Sequence, residues 1–524
     1  MKRRITVLAF TGLWILAAIG GRLGLLMLGG RYADAAVRQS LLTVTVDQPR
    51  GTVYDRQGKP LTNRQTEYRV AMIPTPQGIT RLYDTFTGND LQTLLQRAKE
   101  GRPFVFSSPA ALRGKGILSF SCCLQRPAYQ PALHLIGYVN ADGEGVSGLQ
   151  KAYQKELACT APTTVTYTGT AAGNALTGVT PALSRDDGQT VKGVITTLDD
   201  RVQQAAEKAL GSVKQGAVVV QKAGSGELLA VAACPTFDCR CVAASLQRED
   251  SPLLNRALAA YNVGSVFKLC VAAAALEQGI SPGRTYTCTG QVTCGTVFHC
   301  HCKEGHGKLD MKQALAVSCN PYFIDLARTV GAQAVYDMAV RLGFGRPLTL
   351  ARETTAAAGC LPSEAELARS PAALANFAIG QGSLLATPVH LASMVAVIAA
   401  GGVRFDPYVV SGMVDATGKK ELFPAATGTR AFSAGTAFTL QEMMVGVMTA
   451  GTGTSGQPLQ PAAGKTATAQ TGMTRQGVPV TQAWFVGYYP AKSPRYAVSI
   501  LVEGGASGGG EAAPVFRNFC NALE

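Results

Sequence analysis

An uncharged, largely apolar run extends from Ile5 to Gly21, is broken by Arg22, and resumes over Leu23–Gly30. At about 1.5 Å per helical residue, such a run nearly crosses a bilayer core, and Arg22 can snorkel to the outer headgroups. Lys2, Arg3 and Arg4 precede it. A basic cluster on the short side predicts a cytoplasmic N-terminus and everything after residue 30 outside. A cleaved signal peptide is the alternative, with Ala33-Asp-Ala-Ala36 as a poor cleavage site, but the run exceeds a typical signal core and an uncleaved signal-anchor is expected.

Beyond it the period changes. Leu41–Asp47 alternates as a strand, and a second strand is expected near Glu67–Ile73. A helix begins at Leu198-Asp199, and Ala217–Lys222 and Glu227–Ala233 form a hairpin about Gly224-Ser-Gly226. From Ser265 the chain is apolar almost all round, without Gly or Pro until Gly279. That pattern predicts a buried, central helix. Helices predominate to about residue 450. Three strands are then expected at Ala462–Gln470, Ala483–Tyr489 and Tyr496–Val502, with a closing helix over Pro514–Leu523.

Three polar groups interrupt these elements. Ser265 and Lys268 lie three residues apart at the start of the apolar helix, so hydroxyl and amine share a face. Burial disfavours the ammonium, and a neutral lysine beside a serine is a base beside a nucleophile. A capping serine followed by a snorkelling lysine reads the same way, and Ser-x-x-Lys is expected about twice by chance at this length. The second group is Ser318-Cys-Asn320, before Pro321. It falls on a tight connection between two helices, where Ser and Asn are also ordinary turn residues. The third is Gly464-Lys-Thr-Ala-Thr-Ala-Gln470. Strand alternation puts Lys465 and Ala467 on one face and Thr466 and Thr468 on the other; a protected sheet edge would look similar.

Ser-x-x-Lys, Ser-x-Asn and Lys-Thr-Gly, in that order, mark penicillin-binding proteins and serine β-lactamases. The chain resembles the class B penicillin-binding proteins, monofunctional peptidoglycan transpeptidases of the Gram-positive division or sporulation type. Further segments carry the resemblance: Arg50-Gly-Thr-Val-Tyr-Asp-Arg-Gln-Gly58, Gly145-Val-Ser-Gly-Leu-Gln-Lys-Ala-Tyr153 with Gln150 where Glu is usual, Thr197-Leu-Asp-Asp-Arg-Val-Gln203, and Gly380-Gln-Gly-Ser-Leu-Leu-Ala-Thr-Pro388. Together they cover about residues 44–520, with a weak gap near 75–130.

The resemblance implies an α+β transpeptidase fold like that of serine β-lactamases, an antiparallel sheet with a helical lobe. It sits behind a transmembrane helix and a mixed α/β pedestal. The expected divisions are a cytoplasmic tail at 1–4, the anchor at 5–30, a membrane-proximal, dimerisation-type pedestal at 31–195 and the transpeptidase domain at 196–524. It also implies roles. Ser265 is the nucleophile, Lys268 its base, Ser318 a proton relay, and Asn320 a ligand of the substrate amide. Lys465 and Thr466 hold the terminal carboxylate, and the N–H groups of Ser265 and Thr468 hold the oxyanion. Substrate-binding residues are thus Lys465, Thr466, Ala467 and Thr468. The third motif departs from the family, because Ala467 stands where Gly is usual; its methyl is expected to crowd the site and slow acylation.

The implied partners are peptidoglycan stem peptides, β-lactam antibiotics, membrane lipid and a polymerase in a cell-wall complex. No cofactor is expected. The net charge of +14 with only 16% charged residues, and no aromatic-interleaved basic patch, points to anionic lipid and wall polymers and away from nucleic acid. A β-lactamase, a D,D-carboxypeptidase and a catalytically weak or inactive scaffold are the competing readings.

Fourteen cysteines are many for an exported chain. Cys288, Cys294, Cys300 and Cys302 gather near His299, His301 and His306. Their spacing lacks the paired C-x2-C of zinc sites, so disulfides outrank a metal, free thiols are the default, and no metal is expected. Cys319 reads as a small buried filler.

Overall fold

The computed structural model describes residues 2–28, 39–158, 162–170, 174–176, 178–184, 192–475 and 477–524. The chain forms two compact units. One comprises Met1–Arg50, Arg64–Leu124 and Cys159–Gln189, the other Gly51–Asn63, Gln125–Ala158 and Thr190–Glu524.

In the first unit, helix α1 (Lys2–Leu28) is long and apolar enough to cross a membrane. Its 27 residues span about 40 Å against a hydrocarbon core of about 30 Å. Residues 29–30 of the expected anchor and the Ala33–Ala36 segment lie outside the described residues. Strand Leu41–Asp47 pairs antiparallel with Thr163–Thr168. Strand Thr66–Met72 lies between Phe104–Ser108 and Ile117–Cys123. Its inward residues Val70 and Met72 pack with Phe104, Phe106, and Leu82 and Leu94 of two short helices.

The second unit takes in residues 51–58 of the 50–58 segment. Strand Thr52–Tyr54 pairs parallel with Gly193–Thr196, which in turn pairs with Val410–Val414. Asp55 closes the turn that follows by accepting from the backbone N–H groups of Gln57 and Lys59. The second compact unit thus takes in segments from both sides of residue 195. Non-local strand pairing draws 51–63, and helix packing draws 125–158, into the same unit as the C-terminal residues.

The centre of this unit is a five-stranded antiparallel sheet. Its strands are β1 (Gly216–Lys222), β2 (Leu228–Cys234), β3 (Ala463–Arg475), β4 (Val478–Tyr489) and β5 (Tyr496–Glu503), in the order β2-β1-β5-β4-β3. Period-2 alternation divides β4 cleanly. Trp484, Val486 and Tyr488 enter the core on one face, and Ala483, Phe485 and Tyr489 enter the core on the other. The first face is covered by the helical lobe: α2 (Lys268–Glu277), α3 (Met311–Ala316), α4 (Asn320–Val330), α5 (Pro388–Ala399) and α6 (Ala434–Ala450). Helix Asp200–Ala209 and α7 (Ala513–Asn521) cover the second. Residues 268–275 of α2 are all buried, as an all-round apolar helix requires.

Candidate active site

Ser265 does not lie on the α-helix itself. Gly264–Phe267 forms a 3-10 turn, and α2 starts at Lys268. Residues i and i+3 eclipse in a 3-10 turn, so the backbone sets positions 265 and 268 on one side of it. Gly264 makes the turn feasible in two ways. Its φ of +67° suits glycine, and a Cβ there would stand 3.0 Å from Ala469 Cβ and 3.3 Å from Ala467 Cβ. Its N–H donates to the Gly380 carbonyl at 2.7 Å. A Cβ at Gly380 would be 1.9 Å from the Gly264 carbonyl oxygen, so two glycines let the turn and the 380 loop touch backbone to backbone.

Lys268 is fully buried. Its Nζ donates to the Ser318 carbonyl and to Asn320 Oδ1, both at 2.7 Å, and to Ser318 Oγ at 3.2 Å. The Phe323 ring lies 5.7 Å away. Burial lowers its pKa from 10.5 to about 7, against a smaller opposing pull from Cys319 and Cys300. Among the described residues, Lys268 hydrogen-bonds the second motif and not Ser265.

The second motif occupies the expected connection between α3 and α4. Asp310 caps α3 through a capping box with Gln313, and Pro321 opens α4. Ser318 has φ +55°, a region a non-glycine residue holds only when its surroundings over-determine it. The three bonds from Lys268 supply that restraint.

The third motif lies on β3, at the sheet's edge. Lys465 is fully buried and donates to the Thr466 carbonyl at 2.8 Å. Burial first, and the neighbouring Lys268 second, push its pKa well below the usual lysine range. Thr466 Oγ1 and Thr452 Oγ1 are 2.6 Å apart. Thr468 Oγ1 accepts from the Gly508 N–H at 3.1 Å. Ala467 is 4% exposed, and its methyl faces the notch left by Gly264. The methyl that was expected to crowd the site is housed under the nucleophile turn.

Three contributors were not singled out from the sequence. Thr452 sits inside a plain Gly451-Thr-Gly453 loop, and Gly508 gave no signal. Gln381 lies in the noted 380–388 segment; with its amide oriented to satisfy both groups, it pairs with the N–H and carbonyl of Gln470 at 3.3 Å each, continuing the β3 edge.

The cysteines regroup. Cys294 Sγ turns to the Pro371 carbonyl and Cys302 Sγ to the Gly305 carbonyl. Cys288, Cys300 and His306 meet Cys319 instead. The described cysteines are free thiols.

Residues 216–521, more than half of the chain, match the penicillin binding protein transpeptidase domain. The chain belongs to the penicillin-binding protein transpeptidase family. It is 31% identical over 366 residues to the peptidoglycan D,D-transpeptidase PbpA of Mycobacterium tuberculosis, covering 62% of this chain and 71% of that one. Stage V sporulation protein D of Bacillus subtilis is 24% identical over 560 residues, covering 99% and 84%. The ceftriaxone acyl-enzyme of penicillin-binding protein A from M. tuberculosis superimposes with a TM-score of 0.58 at 28% identity, covering 63% of this chain and 80% of that one. The family's fold, an α+β sheet with a helical lobe, is the one described above.

Proposed function

We propose that this transpeptidase-family chain cross-links peptidoglycan stem peptides ending in D-Ala-D-Ala and is acylated by penicillins at the same serine. One observation carries the reading. Ser265 stands one 3-10 turn before a fully buried lysine whose amine is bonded to Ser318 and Asn320. Lys268, neutral, takes the proton from Ser265 Oγ. The oxygen attacks the carbonyl between the two D-alanines, and the N–H groups of Ser265 and Thr468 hold the resulting oxyanion. Ser318 passes a proton to the leaving D-alanine amine as the acyl-enzyme forms. Asn320 bonds the substrate amide. Lys465 and Thr466 hold the terminal carboxylate, or its β-lactam counterpart, beside Ala467. An amine from a second stem then displaces the serine and completes the cross-link. These steps use side chains and backbone alone.

Residues 5–30 anchor the protein in the lipid bilayer with residues 1–4 in the cytoplasm and the catalytic domain outside. Residues 31–195 serve as pedestal and 196–524 as transpeptidase domain, working with a polymerase of a cell-wall complex. The coverage of a sporulation protein along nearly the whole chain supports a division or sporulation setting.

Fluorescent penicillin tests the reading. Label is expected on Ser265 by peptide mapping, and Ser265→Ala should remain folded and unlabelled. Label on another serine, or none on the folded wild-type protein, would overturn it. Release of D-alanine without cross-linked product would make the protein a carboxypeptidase.

A further inference from the structure

Four side chains from separate segments converge beside the second motif. The ligand-type atoms of Cys288, Cys300, His306 and Cys319 all lie within 4.8 Å of one another. Cys300 Sγ is 3.4 Å from His306 Nδ1. A tetrahedral zinc ion, with bonds of about 2.3 Å to sulfur and 2.0 Å to nitrogen, sets its ligand atoms roughly 3.5–3.8 Å apart. The cluster needs only small rotamer shifts to reach that geometry. Cys288, Cys300 and Cys319 are nearly or fully buried, and His306 is half-buried. Three thiols turned toward each other in an apolar core make poor hydrogen-bond partners, whereas three thiolates and an imidazole make a complete zinc shell.

The backbone around the cluster is built tightly. Cys288 ends strand Tyr286–Cys288, opposite Gly307 of strand Gly307–Leu309. Cys300 follows strand Thr296–His299 and donates its N–H to the Gly290 carbonyl at 2.8 Å. Gly290 and Gly305 both have positive φ, and a Cβ on Gly305 would be 2.2 Å from the Cys288 carbonyl oxygen. Two glycine turns thus bring two short ladders together, each delivering a ligand at its end. Cys319 supplies the last ligand from inside the Ser-x-Asn motif.

We infer that Cys288, Cys300, His306 and Cys319 bind one zinc ion that ties the 286–309 excursion to the loop carrying Ser318 and Asn320. The ion is structural, because four protein ligands leave no open position. Soft thiolate ligands in a tetrahedral set favour zinc over magnesium, calcium or manganese. Its effect on chemistry is indirect. Cys319 lies between Ser318 and Asn320, so holding its sulfur holds the strained backbone at Ser318. The inference rests on the cluster's own geometry and holds whether or not Ser265 is acylated.

The test is the metal content of the full-length chain, purified in detergent under reducing, chelator-free conditions. About one zinc per chain is expected by elemental analysis and native mass spectrometry. Cobalt(II) exchanged into the wild-type protein should give thiolate-to-cobalt charge-transfer absorption and the d–d bands of a tetrahedral site. His306→Ala and Cys288→Ser should lose the metal, and His306→Cys should retain it with a four-sulfur cobalt spectrum. If the substituted chains fail to fold, the wild-type cobalt spectrum decides. Protein that stays metal-free after exposure to zinc and cobalt would overturn the inference. So would a disulfide between Cys300 and Cys319 in protein taken directly from membranes, or iron in place of zinc.

Discussion

At the residue scale, Lys268 sets the behaviour of the site. Its amine titrates near 7 because the folded chain buries it completely. Cys319 and Cys300 raise its affinity for a proton by less than burial lowers it, and Lys268 in turn lowers the proton affinity of Lys465. Acylation by a β-lactam should therefore rise with pH, about tenfold per unit below pH 7, and level off above it. A rate flat through pH 6–8 would exclude Lys268 as the base. The same shift carries a stability sign. The folded pKa lies below the unfolded value of 10.5, so the unfolded chain binds more protons between the two values, and stability falls as pH drops from about 10.5 to 7. Lys268→Arg keeps charge where the folded site disfavours it and should slow acylation by about 10²–10⁴-fold, read by stopped-flow. Ala467→Gly is a sharper test of packing. Because the methyl fills the notch at Gly264, its removal should change acylation by less than about threefold and cost about 0.5–1 kcal/mol of stability, read as a lower Tm. A tenfold faster acylation would mean that the methyl obstructs substrate after all.

At the scale of elements, the site depends on close backbone approach. The 264 turn, the 380 loop and β3 meet at Gly264 and Gly380, where no side chain fits. Gly380→Ala places a Cβ 1.9 Å from the Gly264 carbonyl oxygen, so the turn must move. The expected cost is about 3 kcal/mol or more, together with loss of penicillin labelling. Unchanged labelling would show that the turn can move without penalty. Arg256, just before the turn, is 1% exposed and donates to Glu503 of β5 at 2.6 Å, and to the carbonyls of Ser251 and Asp250. Arg256→Met removes all three bonds and leaves Glu503 with only the longer one from the Tyr261 hydroxyl at 3.4 Å, so it should lower stability by roughly 3 kcal/mol, measured by denaturant unfolding. A change under 1 kcal/mol would mean that water replaces the guanidinium.

For the whole molecule, α1 and the basic residues at its start carry the proposed membrane setting of the site. A 27-residue helix that opens on Lys2, Arg3 and Arg4 and is otherwise apolar except at Arg22 predicts a single pass with the N-terminus inside. A reporter active only outside the cytoplasm, fused after Gly30, should be active and should sediment with membranes. A shortened, soluble product would show that the segment is cleaved. The net charge of +14 fits work at an anionic surface, where association weakens as salt screens it.

Local chemistry by itself determined much of this. The apolar periodicity was enough to place α1 and α2. Alternation placed β3, β4 and β5 to within a few residues, apart from the longer β3–β4 hairpin. Three short motifs marked Ser265, Lys268, Ser318, Asn320 and Lys465 because each couples a reactive side chain to a turn or strand readable within a few residues. Other features required the chain to fold back on itself. Thr52–Tyr54 joined the C-terminal unit through pairing with a strand about 140 residues away. The Ala467 methyl proved housed because Gly264, on a separate element, lacks a Cβ. Cys319 read as filler, and Cys294 and Cys302 as members of the cysteine cluster, because spacing along the chain ranks neighbours by sequence distance. The ladders bring Cys288, Cys300 and His306 to Cys319 at the α3–α4 connection and turn the other two away, and which thiols meet depends on strand register and on the packing of that connection, both set only by the folded chain.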